Sequence, residues 1–274
     1  LKRINVKQRE GAVAGIPRWP VGTSLATIAL CDEVTNLVLK AWSQILPDKA
    51  MAGMGEYCAA NYIGSGRSAA GEDYAHAFYL AASGGGATRE HDGLPHMFGA
   101  CIMGNMGYES IELVELARPL TVWEVSAIAD SGGPGHYRGA VGVRHRIQPR
   151  DHVMNIHYGG SGHTCPAFGF EGGSPGALAD HWVEDAATGA KLAALKNAGT
   201  TDIQAAQAWV ADTGGGGGHG DPGTRDPEAV LKDVNNGFVT VDTARSIYRV
   251  ALVPANHGYQ LDLAATDALR GETS

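Results

Sequence analysis

The side chains best suited to moving protons or holding a metal gather in one stretch, where His91, Asp92 and His96 follow closely along the chain. A His/Asp/His set is a ligand type for zinc or manganese. Their spacings of one and five are not the i, i+4 pairing of a metal-binding helix. Further along, His145, His152, His157 and His163 sit on or near predicted strands. His152 and His157 are an odd number apart, so on one straight strand they point to opposite faces. Glu112 and Glu115 could orient a ligand or close a subunit interface. The ordinary alternative is a solvated strand face, with Ile111 and Leu113 turned inward and Glu112 outward.

Two glycine motifs invite a nucleotide or a nucleophile. Five consecutive glycines, 214–218, lead into His219-Gly220-Asp221-Pro222 and include G-x-G-x-x-G at Gly215, Gly217 and Gly220. In a run of glycines that match is nearly automatic. The dinucleotide fingerprint also needs a strand before it and a helix directly after it, whereas Asp221-Pro222-Gly223 follows here. No G-x-x-x-x-G-K-[S/T] occurs, so the chain has no P-loop. Gly172-Gly-Ser174-Pro-Gly176 matches G-x-S-x-G, but Pro175-Gly176 favours a turn over a hydrolase elbow. Four cysteines (Cys31, Cys58, Cys101, Cys165) form no C-x-x-C or Cys/His zinc pattern and read as free thiols.

These residues must be held by elements the pattern predicts. Thr23 or Ser24 can cap a helix that Pro47 stops, with Ile28, Cys31, Val34 or Thr35, Val38, Trp42 and Ile45 at helical spacing. Residues 51–83 read as short strands and loops. From Ile111 onward, Leu120–Ala129, Val141–Ile147 and Val153–Tyr158 predict short strands parted by Gly and Pro clusters, an antiparallel sandwich or barrel-like lobe. Asp226-Pro227-Glu228 reads as a helix start, with Asp as N-cap. Helices are predicted at about Pro227–Val234 and Val241–Ser246, with Asn235-Asn236-Gly237 ending the first. Tyr248–Val253 can return to a sheet. Asp130 and Arg138 can pair across a glycine turn.

The stretch GGGGGHGDPGTRDPEAVLKDVNNGFVTVDTARSIYRV, from Gly214 to Val250, resembles the C-terminal signature of the B-type subunits of the hydantoinase/oxoprolinase family. So do Asp130-Ser-Gly-Gly-Pro-Gly-His-Tyr-Arg-Gly-Ala-Val-Gly-Val-Arg144 and Gly84-Gly-Gly-Ala-Thr-Arg-Glu-His-Asp-Gly93. A weaker block is Glu112-Leu-Val-Glu115, before which the family reads N-T-P and this chain reads Tyr108-Glu109-Ser110. The resemblance implies an α+β fold: an antiparallel β-rich lobe with flanking helices, part of a larger hydantoinase B-like fold. It divides here into a helix-containing mixed lobe over 1–105, incomplete at its N-terminus, and a β-rich lobe with a C-terminal helical hairpin over 106–274.

The family includes hydantoinase B subunits, part of 5-oxoprolinase, and the acetone and acetophenone carboxylases. The resemblance therefore implies a subunit or fragment of an ATP-dependent multisubunit enzyme. The partners implied are an A-type ATPase with an actin-like fold, a chain carrying the N-terminal half of the B-type subunit, and a small-molecule substrate. No cofactor or metal is expected on this chain; ATP and Mg, with Zn or Mn, belong to the complex. The loss of N-T-P leans toward a ketone carboxylase, with a cyclic amide hydrolase or a non-catalytic assembly subunit as alternatives. Asp92, His96, Glu112 and Glu115 are the candidate catalytic residues.

Composition fits these expectations. At 274 residues, 44% of them apolar, the chain can bury a substantial core. A net charge of −8 argues against a nucleic-acid or anionic-membrane partner. No apolar run is long enough to span a membrane, and a cytoplasmic setting is expected. Thirty-nine glycines are about twice the usual share, which predicts many tight turns and close backbone contacts.

Overall fold

The computed structural model describes residues 5, 7, 9–10, 31–55, 63–78, 82–98, 104–105, 107–160 and 162–271. The predicted cap at Thr23 or Ser24 lies outside them, as do Ile28 of the predicted helix, Cys58 and Cys101. Helix α1 is Cys31–Ser43, followed by β1 (Ile63–Arg67), β2 (Asp73–Ala77), β3 (Met97–Phe98) and β4 (Gly104–Asn105). Then come α2 (Ile111–Ala117), β5 (Leu120–Ala127), β6 (Val143–Pro149) and β7 (Met154–Gly159). β8 (Asp180–Asp185), β9 (Lys191–Ala194), β10 (Ala198–Ile203) and β11 (Gln207–Asp212) complete the sheets. The chain closes with α3 (Pro227–Asn235), α4 (Val241–Ser246), β12 (Leu252–Pro254), β13 (Tyr259–Leu261) and α5 (Leu263–Gly271).

Two antiparallel sheets carry the architecture. One has the order β10-β7-β1-β2 and the other β5-β6-β11-β8-β9. The first joins strands from both sides of position 105. Alternation builds the interior: β6 buries Val143, His145, Ile147 and Pro149 and half-exposes the residues between. Met154, Ile156 and Ile203 from one sheet share a core with Ile147, Val183 and Trp209 from the other. Trp209 is fully buried. Sequestering an indole removes on the order of 200 Å2 from water, about 5 kcal/mol before the entropy of ordering. A smaller core forms where Val230 and Val234 of α3 meet Val239, Ala244, Tyr248 and Val250.

The predicted C-terminal helices form with their predicted caps. Asp226 accepts from the Glu228 amide, and Gly237 takes a φ of 74° beyond the end of α3. The strand predicted at Ile111 and Leu113 is instead α2. Ser110 caps it by accepting from the Leu113 amide, and the cap decides between helix and strand for so short an apolar pattern. Asp130 does not pair with Arg138. It accepts from the Thr240 amide (2.9 Å) and hydroxyl (2.6 Å), while Arg138 turns to Asp233.

The five-glycine run is the axis around which the loops are laid. None of its residues has a positive φ. Its amides at 215, 216, 217 and 218 donate to the carbonyls of Ala177, Ala140, Gly53 and Ser174. Residues three apart address the same neighbour: Gly215 and Gly218 reach Ala177 and Ser174, while Gly84 and Ala87 donate to Gly214 and Gly217. A threefold period is that of a polyproline-II-like rod, whose backbone groups point outward in three directions. A Cβ on Gly216 would lie 1.9 Å from the Gly85 carbonyl oxygen, and one on Gly217 2.0 Å from that of Phe168. Close approach, not positive φ, is why only glycine fits.

Candidate functional site

Beside this rod, at the edge of the five-stranded sheet, lies a half-open cavity of about 400 Å3. Its walls are apolar: Pro95, Val125, Ala140, Val141, Val143 and Phe238. Three polar groups reach it, His96, Ser126 and Arg138, together with the Tyr108 phenol. β5 supplies Val125 and Ser126, and the segment entering β6 supplies Arg138 to Val141. Phe238 comes from the turn between α3 and α4.

His96 stands immediately before β3, at a φ of 61°. A non-glycine residue in the left-handed region stores strain that the surrounding fold must hold. Its Nδ1 is hydrogen-bonded to the Tyr108 hydroxyl, and the two rings meet edge to face. Burial lowers the His96 pKa, so the imidazole is neutral at neutral pH. Burial raises the Tyr108 pKa to about 12, against the hydrogen bond from the Ala82 backbone. The phenol accepts from the Ala82 backbone. In the tautomer where it also gives its own proton to Nδ1 of His96, the imidazole proton sits on Nε2, a neutral donor for a carbonyl oxygen.

Behind the cavity lies a charge-balanced clasp. Arg225 donates to both oxygens of Asp92 at 2.7 Å and to Asp233 at 2.8 Å. Arg138 donates through Nε to Asp233 at 2.9 Å, its guanidinium over the Phe238 ring. The Arg138 amide also donates to Asp92. Burial works to raise the Asp92 pKa, but the hydrogen bonds and charges of Arg225 and Arg138 overcome it and hold the carboxylate ionised. Two guanidiniums against two carboxylates leave little net field in the cavity wall.

The four predicted site residues therefore have separate surroundings. His96 lines the cavity. Asp92 sits in the clasp that holds Arg138. Glu112 and Glu115 lie on α2. Glu112 accepts from the Ser110 hydroxyl at 2.7 Å, and that bond lowers its pKa at an exposed position. Glu115 accepts from the Val122 amide at 2.8 Å and ties α2 to β5. Tyr108, Arg138 and Phe238 were not among the predicted set. The replacement of N-T-P at Tyr108, and the family blocks that contain Arg138 and Phe238, were the sequence signals that pointed near them.

The other motifs resolve locally. The amides that a phosphate would need at Gly215–Gly218 are spent on protein carbonyls. Ser174 lies in an extended loop whose backbone bonds Pro134 and Gly218, with no helix entering after it. His145 and His181 both lie opposite Ala211 in neighbouring pairs of the sheet, and the His163 ring is 4.6 Å from that of His181. Among the described residues no group of three or more His, Cys, Asp or Glu is placed to hold a metal ion. No described helix is long and apolar enough to cross a membrane.

Antiparallel sheets flanked by short helices, laid around a glycine rod beside an apolar cavity, make a mixed α/β architecture. The Hydantoinase B/oxoprolinase profile matches residues 1–222, and the chain belongs to that family. It is similar to the caprolactamase subunit beta of Pseudomonas jessenii, 32% identical over 248 residues, 87% of this chain and 41% of that one. It is also similar to the acetone carboxylase alpha subunit of Xanthobacter autotrophicus, 34% identical over 71% of this chain and 29% of that one. The crystal structure of the ATP-dependent caprolactamase from Pseudomonas jessenii superimposes with a TM-score of 0.70 at 26% identity, over 85% of this chain and 40% of that one. The chain thus spans less than half the length of the relatives it matches.

Proposed function

We propose that the chain is the C-terminal part of the B-type component of an ATP-dependent enzyme that acts on a small uncharged carbonyl compound, a ketone carboxylase in the first reading. The observation that carries it is the Tyr108–His96 pair at the wall of an apolar cavity. In the tautomer with its proton on Nε2 the imidazole can donate to a ketone oxygen and stabilise the enolate left once a base has taken the α-proton, before carbon attacks an activated carboxyl group. Oxyanion donors of this kind are worth about 10²–10³ in rate. The charge-balanced clasp favours a neutral substrate, since a carboxylate there would face Asp92 and Asp233 as well as Arg138.

Phosphoryl chemistry falls to the partner. An A-type ATPase with an actin-like fold would bind ATP and Mg and activate bicarbonate or substrate. Zinc or manganese, where the enzyme uses one, would be held by the part of the B-type component that this chain does not span. Asp92 in this reading positions Arg138, and Glu112 and Glu115 mark a face of α2 available to another chain. A second reading, hydrolysis of a cyclic amide, is favoured by the longer match to caprolactamase; the same Nε2 donor would then serve a tetrahedral oxyanion.

The test is ATP turnover by the assembled complex. A ketone carboxylase releases phosphate only with both ketone and bicarbonate, and His96→Gln lowers kcat about 10²-fold or more. Turnover driven by a lactam without bicarbonate moves the assignment to the second reading. A complex indifferent to both substrates, or a His96→Gln variant as fast as the parent, sinks the proposal.

A further inference from the structure

Helix α1 is built inside out. At about 100° per residue, Asn36, Lys40 and Ser43 share the side turned toward the protein. Asn36 is buried and clamps the Met54 backbone in both directions, its Nδ2 donating to the carbonyl at 2.9 Å and its Oδ1 accepting from the amide at 2.8 Å. Ser43 is buried, and the Lys40 ammonium lies over the Phe168 ring. The opposite side carries Val34, Leu37, Val38 and Trp42, all exposed, Leu37 at 67%, and Ile45 in the turn just past the helix is exposed at 72%. With Ala41 the helical side chains of this stripe fall within an arc of about 140°, the width of a core-facing stripe. A surface helix of a finished fold turns such a stripe inward. Here polar side chains hold the helix in place and the apolar stripe faces away.

We infer that this stripe is the docking surface for the portion of the B-type polypeptide that the chain does not span, and not for a second copy of the chain or for the ATPase component. The inference rests on the reading of the chain as one part of a larger B-type component. Two observations select the occupant. The stripe lies inside residues 1–222, the region shared with the family, in relatives that carry more than half of their length beyond the matched part. Among the described residues these five side chains and the adjacent exposed Leu46 are also far short of the roughly 20–30 residues a side of a free-standing interface. A patch that small is covered stably only when other contacts already hold the partner in place, as they do within one folded component.

Photo-crosslinking in the intact complex tests this. Benzoylphenylalanine is introduced in place of Leu37 or Ile45, the complex is assembled in its own host, irradiated, and the crosslinked peptides are sequenced. Peptides from the remainder of the B-type component are the expected product. Peptides from a second copy of this chain or from the ATPase, or none at all in a particle that contains the remainder, overturn the inference while leaving the function reading in place. A native particle lacking any such remainder overturns the function reading instead, and the docking surface with it. As a second measurement, Leu37→Glu with Ile45→Glu should weaken capture of the remainder at least tenfold. Because the stripe lies outside the chain's own core, the melting of the chain should be unchanged. Unaltered capture by the double variant also overturns the inference.

Discussion

Arg225 shows how one buried guanidinium can organise a site it does not line. Its side chain is 4% exposed and joins Asp92 to Asp233, which in turn holds Arg138 at the cavity. Removing one member of a buried ion-paired set leaves uncompensated charge and costs about 3–5 kcal/mol. Urea unfolding of Arg225→Leu should show a loss of that size; a loss below ~1 kcal/mol would mean that the clasp is peripheral. Histidines in the core set a second expectation. Burial and the neighbouring His181 lower the His145 pKa to about 3, and burial lowers that of His181 to about 4. Above pH ~6.5, the unfolded value, both states are neutral and these groups add no pH dependence. As pH falls below that value the unfolded chain takes up protons that the folded chain refuses. Stability therefore declines from about pH 6.5 down toward the folded values. Melting temperature followed from pH 7 to 5 should fall, and less steeply in His145→Leu. An identical slope in the variant would clear His145 of any part in it.

Among the elements, the glycine rod and α2 make opposite demands on sequence. In the rod the backbone is ordinary and its surroundings are not. Gly216→Ala drives a methyl to 1.9 Å from a carbonyl oxygen held by its own hydrogen bonds, so the rod must part. The cost should far exceed the ~1 kcal/mol of a propensity change, and the chain should melt well below the parent or not fold. A near-silent Gly216→Ala would show that the rod yields. Helix α2 is held by its cap, by the Glu115 carboxylate and by Val114, which is buried in the main core. Ser110→Ala should cost about 1 kcal/mol, read as a modest shift in the urea midpoint. A loss several times larger would assign Ser110 a role beyond capping.

At the scale of the whole molecule, division of labour is the testable property. With no P-loop in the sequence and the rod's amides already bonded, the purified chain with Mg and ATP should release phosphate only at background. Turnover that follows the chain through purification would remove the need for an ATPase partner. Under the proposed function, phosphate release should appear only when an A-type component and the remainder of the B-type component are supplied together.

Much of the fold was legible where local chemistry decides it. The caps Asp226-Pro227 and Asn-Asn-Gly237 placed α3, and alternation with Gly/Pro punctuation placed β5, β6 and β7, because hydrogen bonds within a few residues and side-chain periodicity act wherever the rest of the chain lies. The glycine blocks also carried the family, since close backbone packing leaves no other residue possible. The sequence could not show what lies across space. The identity of α2 turned on a single serine cap against an ambiguous apolar pattern. Arg138 and Asp130, neighbours in one motif, went to partners 95 and 110 residues away. The cavity that unites His96 with Tyr108, Val125 and Phe238 exists only once five separate stretches of the chain meet around it. Long-range pairings depend on which surfaces meet when the core closes, and only the tertiary structure decides that.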